Sequence, residues 1–170
     1  MQPEPKYDDE IRSRQRWMGV LARASEAELE AAWGSCPGAA GNGNGDAGGE
    51  TGGAPEFALL RRPETGMALV RGRMGGTGRA FNLGEMTMTR CAVRLGGIVG
   101  YAYVAGRGER RAELAARFDA LLQDPARREP LLREVVGPLE RRQAEQRRKR
   151  AAKSGATRVE FFTMVRGEHA

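Results

Sequence analysis

The stretch Met74-Gly75-Gly76-Thr77-Gly78, flanked by Arg73 and Arg79, holds the residue types from which an anion cradle is built. Glycines let backbone amides converge on a phosphate, a hydroxyl adds a donor, and two guanidiniums add charge. The spacing nevertheless fits neither standard nucleotide fingerprint. A Walker loop needs Lys and then Ser or Thr after its last glycine, and it opens a helix. Here Arg79-Ala80-Phe81 follow, and no helical run begins. The GxGxxG order of a dinucleotide fold is absent as well. Two local readings stay open. One is a tight structural turn, which the strand-like surroundings favour. The other is a phosphate contact through Arg73, Gly75, Gly76, Thr77, Gly78 and Arg79.

Other chemistry is sparsely provided. His169 is the sole histidine, so a Ser-His-Asp or Cys-His arrangement would have to recruit a residue beside the C-terminus. Cys36 and Cys91 belong to no CxxC pair, which indicates neither a zinc site nor a disulfide framework. Asp8, Asp9, Glu26, Glu28 and Glu30 fall on helical patterns as surface charges do, and Glu64 and Glu85 fall in loop-like stretches. No catalytic residue and no metal ligand is assigned.

The charge is localised. The 170 residues carry a net +6, and residues 127–153 hold ten Arg/Lys against four Glu, which is the whole surplus. Such a stripe attracts nucleic acid, an anionic ligand or an acidic protein surface, or is simply a solvated helix face. Residues 34–53 contain nine glycines in twenty positions. They cannot bury enough apolar surface to offset their ordering entropy, so a flexible loop is expected at 37–54. The opening residues have no apolar h-region, and the longest apolar run, near 98–105, is far short of the ~20 residues of a membrane span. A soluble cytoplasmic protein is expected, with residues 1–170 forming one domain.

Periodicity supplies the elements that must position these residues. Trp17, Val20 and Leu21 give residues 8–23 one apolar stripe, and Ser25 with Glu28 forms a capping box that opens a second helix ending near Gly34. The period then changes to two. "FALLRR" (57–62) and "MALVRGR" (67–73) flank "PETG" (63–66), which suits a hairpin on a type I turn. "MTMTRCAVRL" (86–95) and "IVGYAYVA" (98–105) are joined by Gly96-Gly97 and predict a second hairpin. Its register follows. Leu95, Val93, Cys91 and Thr89 oppose Ile98, Gly100, Ala102 and Val104 on an apolar face, where Gly100 and Ala102 admit a close helix. Arg90, Ala92 and Arg94 share the opposite face with Tyr103, Tyr101 and Val99, where Arg and Tyr can stack across strands.

Helical period returns at 109–123, with Leu114, Phe118, Leu121 and Leu122 on one side and a stop at Asp124-Pro125. A helix near Pro130 follows, kinked or broken at Gly137-Pro138, and then the basic helix 140–153. Residues 158–167, "RVEFFTMVRG", are extended in character and apolar on both sides. The class expected is α+β: an antiparallel sheet of at least four strands, in two hairpins, flanked by N-terminal and C-terminal helices. Arg90, Arg94, Tyr101, Tyr103, Phe161, Phe162, Met164 and Val165 are the partner-interface candidates, because Tyr and Arg favour interfaces and an apolar tail needs cover.

The stretches "RQRWMGVLARA" (14–24), "PETG" (63–66), "RMGGTG" (73–78), "TRCAVRL" (89–95), "GYAYVAGR" (100–107) and "RVEFFTMVRG" (158–167) resemble those of PhnG, the G subunit of the bacterial carbon–phosphorus lyase core complex. The resemblance runs in order from about residue 14 to the end. It departs from the family pattern at 37–54, which looks like an insertion, and in the unusually basic run 141–150, and neither region inherits a family role. The resemblance implies an accessory, non-catalytic subunit assembled with H, I and J subunits, chiefly I, and acting with the L protein. Together they support transfer of ribose 5-triphosphate from ATP to methylphosphonate with release of adenine, the nucleosidase-like step being attributed to the I subunit. It implies no cofactor on this chain alone. ATP serves the complex, and an iron–sulfur cluster with S-adenosylmethionine belongs to the J subunit. The alternative is a free-standing basic nucleic-acid-binding protein using the Arg-rich helix 127–153. Under the resemblance, neither nucleic acid nor a membrane is expected as a partner.

Overall fold

The structure is a computed structural model and describes residues 5–36 and 56–156. The elements are α1 (Pro5–Arg23), α2 (Glu26–Ser35), β1 (Phe57–Arg73), β2 (Ala80–Leu95), β3 (Ile98–Ala105), α3 (Glu109–Gln123), α4 (Pro125–Leu131) and α5 (Gly137–Ala156). A 3-10 turn, Met74–Gly76, leads from β1 towards β2, and a π-helical turn, Leu132–Val136, joins α4 to α5. The strands form one antiparallel sheet in the order β1-β2-β3. The class is α+β with helices before and after the sheet, as the periodicity predicts.

The strand count is corrected. Among the described residues there are three strands, not at least four, because "PETG" is not a turn. Glu64, Thr65 and Gly66 pair with Arg90, Thr89 and Met88 inside one continuous β1. The register shifts on either side of Arg61 absorb the extra residues as bulges. Pro63 lies in the second shift on an edge strand, where a missing N–H costs no ladder bond. The chain reverses instead at "MGGTG". Gly75 and Gly76 there take φ of 62° and 83°, which the reversal uses and other residue types resist. "PETG" offers no such residue, since Gly66 is not among the positive-φ glycines.

The second hairpin is as predicted. Leu95↔Ile98, Val93↔Gly100, Cys91↔Ala102 and Thr89↔Val104 pair directly, and Gly96 takes φ of 56° in the turn. Val93, Cys91, Ala102 and Val104 are buried beneath α3, which contributes Leu114, Phe118, Leu121 and Leu122. Each such large side chain contributes about 1.5–3 kcal/mol by leaving water. The approach is close at Gly100, where a Cβ would stand 2.1 Å from the Ala116 carbonyl oxygen and 2.6 Å from the Ala120 nitrogen.

The N-terminal helices close the core from the side. Trp17, Val20 and Leu21 of α1 are buried, as their spacing predicts, and so are Leu29 and Trp33 of α2. The Ser25–Glu28 capping box is complete. Trp33 meets Phe118 edge-on with ring centroids 5.2 Å apart. Asp124 ends α3 and caps α4 through the Ala126 amide at 3.0 Å. Gly137-Pro138 does not break the helix. The Gly137 amide reaches back to the Leu132 carbonyl, a five-residue step that widens the turn just before Pro138.

Candidate functional site

The sheet presents two faces of different fate. Alternation turns Cys91, Val93, Ala102 and Val104 toward α3 and sends Arg90, Arg94, Tyr101 and Tyr103 to the other side. All four of the latter are exposed, Tyr101 by 42% and Tyr103 by 51%. The structure therefore brings together the four described interface candidates. Phe161, Phe162, Met164 and Val165 lie outside the described residues, as does the Gly-rich stretch 37–54.

The expected cross-strand stacking of Arg on Tyr is replaced by other pairs. Arg90 turns to β1 and donates from Nε to Glu64, which also takes a bond from Arg61. The Arg61 guanidinium, and Arg90 with it, holds the Glu64 carboxyl below the usual carboxylate range. Tyr101 receives Arg14 of α1 instead, 5.8 Å from the ring centroid. Ile11, Arg14, Gln15 and Met18 of α1 thereby form one wall of a shallow cleft whose other wall is Tyr101 and Tyr103.

Beneath this cleft lies a residue that sequence reasoning missed. Asp119 of α3 is fully buried and gathers side-chain or backbone donors from four residues. Arg14 reaches it through Nη2 at 2.7 Å and Nε at 3.3 Å, Trp17 Nε1 at 2.9 Å, the Tyr101 amide at 2.9 Å, and Gln123 Nε2 at 3.2 Å. Gln123 Nε2 also donates to the Val99 carbonyl at 2.9 Å. The outer edge of β3 is thus tied to α1 and α3 by one carboxylate. A signal was present: Asp119 falls at the i+4 position from Ala115 and next to Phe118, so a charge stands within the apolar stripe of α3.

The Gly-rich stretch sits at the tip of the β1–β2 hairpin. The amides of Thr77 and Gly78 both turn inward to the Met74 carbonyl, the latter at 2.8 Å. The Arg73 guanidinium donates to the Gly78 carbonyl at 3.2 Å. Arg73, Gly75, Gly76, Thr77, Gly78 and Arg79 are therefore together, but not with the tyrosines. Arg79, just before β2, and Arg90 within it are eleven residues apart, about 35 Å at the rise of a strand.

Catalytic equipment is not concentrated anywhere in the described residues. No group of three or more His, Cys, Asp or Glu there could hold a metal ion. Burial pushes the Cys91 thiol up to about 11, the opposite of an activated nucleophile. Its Sγ donates to the Arg61 carbonyl at 3.4 Å. No described helix is long and apolar enough to cross a membrane.

Among the described residues of this α+β chain, helices cover one face of the sheet and the Arg/Tyr face stays exposed. The comparisons give the chain a family. The model of the family described as "Phosphonate metabolism protein PhnG" matches residues 12–167. The chain is also 44% identical over 165 residues to the alpha-D-ribose 1-methylphosphonate 5-triphosphate synthase subunit PhnG of Rhizobium meliloti (strain 1021), covering 95% of this chain and 94% of that one. The chain belongs to the PhnG family of phosphonate metabolism proteins. The reading as a free-standing nucleic-acid-binding protein draws no support from these matches.

Proposed function

We propose that this chain is an accessory subunit of a ribose 1-methylphosphonate 5-triphosphate synthase and lends no catalytic group of its own. The observation that carries the reading is the identity to a named synthase subunit along nearly the full length of both chains. In the reaction, a phosphonate oxygen bonds to C1′ of the ATP ribose, the bond from C1′ to the base breaks, and adenine leaves with a proton. The chain's part is to complete the assembly in which a partner performs that displacement in the cytoplasm. The partners in this reading are the H, I and J subunits, chiefly I, with the L protein acting alongside. The iron–sulfur cluster and S-adenosylmethionine belong to another subunit.

Arg90, Arg94, Tyr101 and Tyr103 form the contact face in this reading, joined by Phe161, Phe162, Met164 and Val165 from the tail. Exposed Tyr and Arg beside an apolar cleft suit the centre of a protein contact. Arg73, Arg79 and the intervening Gly75, Gly76, Thr77 and Gly78 are offered as a phosphate contact that a partner's site completes. The inward-turned amides of Thr77 and Gly78 leave the two guanidiniums as the main attraction for an anion. Co-expression with the I subunit and affinity purification test the reading. The tagged chain recovers the I subunit in a fixed ratio, and Arg94→Glu with Tyr103→Ala weakens that recovery. A tagged chain that stays alone contradicts it.

A further inference from the structure

Among the described residues, the sheet loses its third strand beyond the pair Met88↔Ala105. From there β1 and β2 run on as a two-stranded ribbon, Met67–Arg73 against Ala80–Thr87. Alternation puts Met67 and Leu69 on the side that α3 occupies further along, and Ala68, Val70 and Met86 on the other. Phe81 and Leu83 join this second side, since both come within 3.9 Å of a Cβ built on Gly72. Large apolar residues of both sides face solvent, Met67 being 68% exposed, Leu69 56% and Leu83 66%, while Ala68 and Val70 are half-buried.

An isolated two-stranded ribbon is marginal in water, and contiguous exposed apolar surface marks a protein contact. Four of the chain's seven methionines, Met67, Met74, Met86 and Met88, lie on or at the root of this ribbon. Their flexible thioether side chains adapt to a partner's contours. Charge selects the partner. Arg71, Arg73 and Arg79 stand near the tip against one acid, Glu85. A second copy of this chain would set like charges against each other, whereas an acidic rim would attract them.

We infer that the β1–β2 ribbon is a docking arm that packs into an apolar groove with an acidic rim on a different protein subunit. This rests on the subunit reading above and names a surface outside the tyrosine face. The test uses the full-length chain co-expressed with the remaining synthase subunits. In Leu69→Glu/Leu83→Glu the recovered partner falls at least tenfold, while the isolated variant keeps the circular dichroism and urea midpoint of the parent. Arg71→Glu/Arg73→Glu/Arg79→Glu also weakens binding and removes its salt dependence. Hydrogen exchange on the parent complex covers a variant that fails to fold: amides of 67–73 and 80–87 gain protection on assembly. Parent-level recovery of the apolar variant, or unchanged exchange in the ribbon, overturns the arm and leaves the subunit reading standing. A parent chain that recovers no synthase subunit sinks both. A chain that dimerises alone, and returns to monomer with Leu69→Glu/Leu83→Glu, overturns the choice of a different subunit.

Discussion

Asp119 organises the join between helices and sheet, because one buried carboxylate satisfies Arg14, Trp17, Gln123 and the Tyr101 amide. Asp119→Asn keeps the shape but strips the charge that Arg14 answers. Removing one partner of a buried pair costs about 3–5 kcal/mol, and the one-third exposure of Arg14 places the loss near the low end, about 3 kcal/mol. Urea unfolding measures it, and a loss under about 1 kcal/mol would show that the network is decorative. Cys91 gives a second prediction at this scale. Its thiol titrates near 9 when unfolded and is pushed up to about 11 by burial, with the Glu113 carboxylate adding to the effect. A raised pKa means that the native state holds the proton longer. The contribution is therefore fully present below pH 9 and is lost as pH rises to about 11, for a total of about 3 kcal/mol. Unfolding curves across that window should fall more steeply in the parent than in Cys91→Ala. Equal slopes would mean that the buried thiol does not couple to stability.

At the scale of elements, the packing of α3 on the sheet depends on Gly100. A Cβ there would sit inside contact distance of the Ala116 carbonyl and the Ala120 amide, both rigid helix backbone. Gly100→Ala should cost about 1–3 kcal/mol or more, while Gly97→Ala, with nothing within 4 Å, serves as the benign control. Equal urea midpoints for the two would contradict the close approach. Much of this was legible beforehand. The Gly96-Gly97 turn fixes a register in which every expected pair from Thr89↔Val104 to Leu95↔Ile98 is found. Helical stripes and the capping box read equally well, because they depend on local spacing. "PETG" misled because breaker residues mark bulges as well as turns, and only the partner strand decides between them. Asp119 was visible as a charge within the apolar stripe of α3, but its partners were not, because Arg14 and Trp17 lie more than a hundred residues earlier in the chain. The arginines of β2 misled on partners rather than on placement: their face is right, but Arg90 prefers Glu64 to a tyrosine ring.

At the scale of the whole molecule, the described residues are one-sided: helices close one face of the sheet, while the opposite face and a protruding ribbon keep tyrosines, methionines and leucines in solvent. Such a surface is tolerable in a chain that is covered by a partner, and membership of the PhnG family, with a relative named as a synthase subunit, gives it a setting. The six residues of the hairpin tip and the four of the tyrosine face lie about 35 Å apart at the rise of a strand. The most direct measurement is adenine release from ATP and methylphosphonate by the reconstituted synthase subunits, with and without this chain. The account predicts that adenine forms at a substantial rate only when the chain is present, and that the chain alone forms none. Adenine release at the same rate when the chain is omitted would contradict it.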